Sequence, residues 1–209
     1  MIESACGIIL RLRPLTETSL IVQWLTSDSG RLATVARGAR RPKSPFLGRL
    51  DLFYEAEMSF SRSRRSDLHT LREVRLRQTR PAIRGDLARL RRAAYACALV
   101  EQTTETETPL PGIFGLMRNF LDALCGQESG PQRVIAFELD ILRELGLQPD
   151  WKQARLTEAT RQSLSARPGP DAGLKLASPQ FEEVRRFLHG FLIYHLGRLP
   201  KGRAAALAE

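Results

Sequence analysis

The segment DLFYEAEMSFSRSRRSDLHTLREVRLRQTRP, residues 51–81, decides the fold. In its first part Leu52, Tyr54, Ala56 and Met58 alternate with Phe53, Glu55, Glu57 and Ser59, the period of a half-buried strand. A polar turn, SRSRRSD, follows. Val74 and Leu76 then alternate with Arg75 and Arg77, which reads as a strand with one cationic face. Arg80-Pro81 closes the segment, and beyond it apolar residues recur at three and four. The period thus changes from two to 3.6 at one point. The expected organisation is a β domain over 1–80 and a helical domain over 81–209.

Working upstream, CGIILRLRP (6–14), SLIVQWLTSD (19–28) and GRLATVARGA (30–39) are short, β-branched runs broken by Gly, Asp and Pro. With the two strands above they make five in about 75 residues, and the expected form is a five-stranded oligonucleotide-binding (OB) barrel. Downstream, apolar stripes predict helices around 87–101, 113–124, 134–145 and 181–195. Residues 151–165 are compatible with a fifth, while ARPGPDAG (166–173) reads as a loop. The fold class is α+β, a barrel followed by an all-α domain.

Charge is distributed unevenly over this frame. The net charge is +9, of which residues 1–84 carry +8. Its centre is RLATVARGARRPKSPFLGRL (31–50), with Arg31, Arg37, Arg40, Arg41, Lys43 and Arg49 and no acid, punctuated by Gly38, Pro42, Pro45 and Gly48. Arginine offers phosphate a planar fork and lysine a mobile point charge. A stiffened cationic loop on a β scaffold suits a polyanionic backbone. Arg62, Arg64 and Arg65 form a second group in the loop between the fourth and fifth strands, which often borders the ligand groove of OB barrels. Arg72, Arg75, Arg77, Arg80 and Arg84 could extend the surface. Bases also need stacking partners. Among Trp24, Phe46, Phe53, Tyr54 and Phe60, Trp24 is expected in the core and Phe46 is the preferred stacking candidate, with anchoring of the loop as an equal alternative.

Other classes find little support. His69, His189 and His195 are scattered, and His195 falls on the apolar stripe of the last helix, where a core histidine is expected. There is no GxxxxGK[ST] phosphate loop and no Cys/His cluster with zinc spacing. Glu101, Glu105 and Glu107 sit in a Thr-rich run and are expected to face solvent. Cys6, Cys97 and Cys125 are few and far apart, which fits a reducing cytoplasm. No apolar run approaches the roughly 20 residues that span a bilayer, and the N-terminus does not read as a signal peptide. The expectation is a nucleic-acid binder with no catalytic site and no cofactor. An RNA-binding OB protein is the alternative that charge alone leaves open, and a nuclease is a third class.

The N-terminal module resembles the RecO family of bacterial recombination mediators. Gly7-Ile8-Ile9-Leu10 opens the first strand, Glu17 precedes the second, and Thr26 and Gly30 flank the next turn. GRLATVARGARRPKS (30–44), Gly48, Leu50, Leu71 and Glu73 continue the match, and SPQFEEVRRFLHGFLIYHLG (178–197) is similar to the family's last helix. The resemblance implies an OB barrel plus helical domain. It implies binding of single- and double-stranded DNA, strand annealing, and recombinase loading with RecR, possibly RecF, and the C-terminal tail of the single-stranded-DNA-binding protein. It also implies a cytoplasmic, nucleoid-associated setting without a membrane. Some members carry a four-cysteine zinc site near the segment corresponding to 147–177; here that segment has no Cys or His, so no metal is expected.

Overall fold

The computed structural model describes residues 2–127, 129–167, 169 and 173–208. Five strands, β1 (Ile2–Pro14), β2 (Leu20–Thr26), β3 (Gly30–Ala36), β4 (Glu55–Ser61) and β5 (Leu68–Gln78), close a barrel in the order β1-β2-β3-β5-β4. Every pairing is antiparallel except β3 with β5. Closure removes open sheet edges, and the order is that of the expected OB barrel. β1 pairs with both β2 and β4, and its register slips at Leu10. The slip lets Ile8, Ile9 and Leu10 all be buried although they are consecutive. Trp24 lies at the centre of the core, as expected. Its indole N–H donates to Thr34 Oγ1 at 2.9 Å, so the ring is buried without an unpaired donor.

Two details of the alternation differ from the sequence reading. In β5 the register shifts where Ser59 and Phe60 face Glu73 and Leu71, leaving Arg72 as the extra residue. Leu71 and Val74 therefore both point inward. Leu76, two residues beyond Val74 and next to a second register shift between Leu76 and Gln78, is exposed. Before β4, residues 52–53 are a turn and not strand, with Phe53 at φ 68°. Phe53 and Glu55, which the alternation set opposite Tyr54 and Ala56, are buried along with Ala56 and Met58.

The helices are α1 (Pro81–Arg84), α2 (Leu87–Thr103), α3 (Pro111–Cys125), α4 (Pro131–Glu144), α5 (Glu158–Ser165), α6 (Ser178–Leu196) and α7 (Arg203–Ala206). The expected stripes of α3 and α4 are largely buried, but that of α2 is not: of Leu87, Leu90, Ala94, Cys97, Ala98 and Glu101 only Cys97 is buried, and α2 turns inward the neighbouring face with Arg92, Ala93, Tyr95, Ala96, Leu99 and Val100. α5 occupies only the second half of 151–165. Part of the loop read from ARPGPDAG lies outside the described residues. α7, which has no apolar period long enough to announce it, is tied down by polar contacts. Arg92 donates to the carbonyls of Ala206 at 3.2 Å and Ala208 at 2.9 Å. Arg203 forms a two-pronged pair with Glu138 at 2.7 and 2.8 Å.

The chain forms two compact units. One comprises Met1–Pro81 with Thr104–Gly115, the other Ala82–Thr103 with Leu116–Glu209. Residues 104–115, which the change of period assigned to the helical half, thus belong with the barrel.

Candidate nucleic-acid interface

The cationic loop between β3 and β4 is ordered by its own turns. Arg41, Ser44, Leu47 and Arg49 each donate a backbone N–H to the residue three before, at 3.0–3.1 Å. Gly38, at φ 66°, supplies the left-handed residue that lets the chain leave β3. Ala39 and Phe46 are buried in the barrel core, and the Arg40 N–H donates to Thr18 O at 2.9 Å. The loop is therefore stapled at three points. Arg37, just before the first staple, and Arg40, Arg41 and Lys43, before the last, are all exposed. None is paired with an acid among the described residues. Beside them an open cleft of about 410 Å³ is lined by Leu15, Thr16, Thr18, Ser19, Val35, Arg37, Gly38 and Arg41. Its charged members are both arginines, so its field favours an anion.

The other expected cations are placed differently. Arg49 is exposed but donates to Val74 O at 3.1 Å. Arg31 gives Nε and Nη2 to Thr104 Oγ1 and O at 2.8 and 2.6 Å. Arg62 binds Glu3 through Nε and Nη2, and Glu107 through Nη1 at 2.7 Å. This hydrogen bond holds the Glu3 carboxyl below its ordinary range. Arg64 and Arg65 are exposed at the tip of the β4–β5 loop with no acid against them among the described residues. Of the possible extensions, Arg77 pairs with Glu57, Arg75 lies 4.0 Å from Glu73, Arg72 donates to Ser61 and Arg80 is buried. Of the nine expected cations, six exposed side chains in two loops, Arg37, Arg40, Arg41 and Lys43 with Arg64 and Arg65, have neither an acid nor a carbonyl against them among the described residues.

Aromatic residues do not join them. Phe46, read as either a stacking residue or a loop anchor, is 6% exposed and anchors the loop from inside. Phe53 and Phe60 are buried as well, and Tyr54 is half-buried against the core. The burial of Phe46 has a simple cause: a loop of charged residues needs an apolar foot to hold its shape, and Phe46 is the only large ring in the cationic stretch 31–50. His195, expected in the core, is exposed and lies at the end of an aromatic row on α6. Phe187 and Phe191 have ring centres 5.6 Å apart, and Phe191 and His195 4.3 Å. Tyr194 beside it is 84% exposed. Glu107, expected to face solvent, also meets His69 Nε2 at 2.6 Å. The sequence shows the alternating TTETETP run but carries no signal for what it touches.

Among the described residues no group of three or more His, Cys, Asp or Glu is placed to hold a metal ion. No helix among them is long and apolar enough to cross a membrane.

Fold and site together define an OB-barrel protein with a cationic loop surface and a helical C-terminal unit. Its sequence matches the profiles described as Recombination protein O N terminal, over residues 1–80, and Recombination protein O C terminal, over 84–171. It is similar to the DNA repair protein RecO of Anaeromyxobacter sp. (strain K), 34% identical over 92% of this chain and 91% of that one. The DNA repair protein RecO of Myxococcus xanthus is 34% identical over 67% of this chain and 57% of its own. The chain belongs to the RecO family of DNA repair proteins, a family of mediators and not of catalytic enzymes.

Proposed function

We propose that this chain binds single- and double-stranded DNA through the phosphate backbone and promotes annealing of complementary strands. One observation carries the reading: Arg37, Arg40, Arg41 and Lys43 stand exposed and unpaired on a loop held rigid by Phe46 and by the Arg40–Thr18 backbone bond. Such a loop neutralises phosphates at little cost in ordering, because its backbone is already fixed. With no exposed aromatic on the barrel, its contribution is insensitive to base identity. That favours bringing two strands together by screening their repulsion, with base pairing supplying the free energy and no nucleotide hydrolysis.

The relatives named DNA repair protein RecO support a place in repair. On this reading the helical unit recruits partners: RecR, possibly RecF, and the C-terminal tail of the single-stranded-DNA-binding protein, so that a recombinase is loaded on the coated strand in the bacterial cytoplasm, at the nucleoid. The α6 face with Phe191, Tyr194 and His195 is the candidate surface for the apolar part of that acidic tail. Annealing of complementary strands coated by the cognate single-strand-binding protein tests the proposal. The expected result is faster annealing with the chain than without it, unchanged by ATP. Equal rates in both reactions refute it.

A further inference from the structure

The segment between α2 and α3 contributes to the barrel unit in a way that the proposed DNA surface does not use. Residues 104–108, TETET, lie along β3. Thr106 bridges Arg31 in parallel fashion, and the Glu107 N–H donates to Arg31 O at 2.9 Å. The side chain of Arg31 turns back onto Thr104, at 2.8 and 2.6 Å. The Glu107 carboxylate receives Nη1 of Arg62 at 2.7 Å and lies 2.6 Å from Nε2 of His69. His69 accepts the Ser63 N–H on Nδ1 at 3.2 Å, so the neutral ring carries its proton on Nε2, toward Glu107.

Two observations show that the fit is specific. Gly30 has φ 65°, and a Cβ there would stand 2.1 Å from the carbonyl oxygen of Thr108, so the close approach depends on glycine. Glu107 itself has φ 58°, a left-handed conformation that a non-glycine residue holds only when its contacts impose it. The contacts are those that a phosphodiester would make. Oxygen acceptors receive the forks of two arginines, Arg31 and Arg62, from the basic domain.

We propose that this acidic segment is an internal competitor of DNA: it occupies Arg31 and the Nη1 edge of Arg62, and a phosphate backbone that reaches them must lift it. The proposal rests on the DNA-binding reading above. DNA first meets the six unpaired cations of the two loops. Displacement of residues 104–108 then adds contacts, while Arg62 keeps its pair with Glu3. Intact strap and bound strand are alternative occupants of one surface, so a strand held only by the loops is more easily released.

The test uses the full chain and a labelled oligo-dT single strand. Glu107→Gln and, separately, Gly30→Ala are expected to steepen the log–log salt slope by about 0.7, one further phosphate, which is about fivefold tighter binding at 0.1 M salt relative to 1 M. Adding Arg62→Ala to Glu107→Gln should remove the gain. In the unmodified chain, the Glu107 amide should exchange with solvent faster when DNA is bound, a readout that does not depend on either variant folding. Variants that match the parent in affinity and slope, or a Glu107 amide that DNA leaves unchanged or slows, overturn the proposal. If the unmodified chain binds with the salt dependence of its loop cations and only these results fail, the competitor is refuted and the DNA reading stands; if it does not bind at all, both fall.

Discussion

Arg80 donates to the carboxylate of Glu55 at 2.9 Å, with the two side chains only 1% and 8% exposed. The same guanidinium donates to the carbonyl of Phe53 at 3.0 Å. Phe53 and Arg80 both have left-handed backbones, at φ 68° and 49°. One buried ion pair thus holds the turn that enters β4 to the residue two positions beyond the end of β5.

Removing one partner should leave the other charge buried. Glu55→Ala is expected to destabilise the barrel unit by about 3 kcal/mol, lowering its melting midpoint by roughly 10–20 °C for a unit of this size. Glu57→Ala breaks the exposed pair with Arg77 and should cost no more than about 0.5 kcal/mol. Thermal melts of the two variants, followed by near-ultraviolet circular dichroism, separate the cases; equal shifts contradict the argument.

Replacing Arg40, Arg41 and Lys43 together by alanine should lower the salt slope for single strands by about 2, since each phosphate contact contributes about 0.7. The side chains are exposed and unpaired among the described residues, so the melting midpoint should not move. Anisotropy titrations across a range of salt measure the slope. An unchanged slope removes this loop from the interface.

Burial, followed by the neighbouring Glu138 carboxylate, pushes the Tyr95 phenol far above its ordinary value of 10.0. Its hydroxyl donates to Glu138 at 2.5 Å. The folded chain keeps this proton where the unfolded chain releases it, so the unfolded state binds fewer protons above pH 10 and stability falls there. Urea midpoints from pH 8 to 11 should decline in the parent at the alkaline end. In Tyr95→Phe the decline should be shallower, with a lower midpoint at pH 8 from the lost hydrogen bond. Parallel pH curves contradict the assignment.

The segment 147–177 contains no Cys or His, and a structural zinc site normally draws its four ligands from such residues. Elemental analysis of the purified chain should find no stoichiometric zinc, and chelators should leave the melting midpoint unchanged. One zinc per chain would contradict this.

Tyr194→Ala should weaken binding of an acidic, apolar tail peptide to the full chain by at least about fivefold, as expected of an aromatic anchor, and leave the DNA salt slope unchanged. Fluorescence titration of the labelled peptide reads the effect. Equal peptide affinity in parent and variant excludes this face.

The sequence by itself determined the element types and the location of the charge. Alternation in 51–78, the break at Pro81 and the three- and four-residue steps beyond it are local signals, because strand and helix periods are properties of neighbouring residues. The acid-free run 31–50 is local in the same sense. What only the tertiary structure decided is which of those residues are free. The bulge at Arg72 let Leu71 and Val74 both point inward, and the turn at 52–53 put Phe53 and Glu55 inside, since register is set by partner strands. Phe46 became a foot and not a stacking platform, because burying its ring fixes a charged loop. Arg31 and Arg62 look no different in sequence from Arg40 and Arg41. They are separated from them by Thr104, Glu107 and Glu3, residues 73, 45 and 59 positions away along the chain. Pairing of charges is a through-space relation, and the fold alone sets those distances.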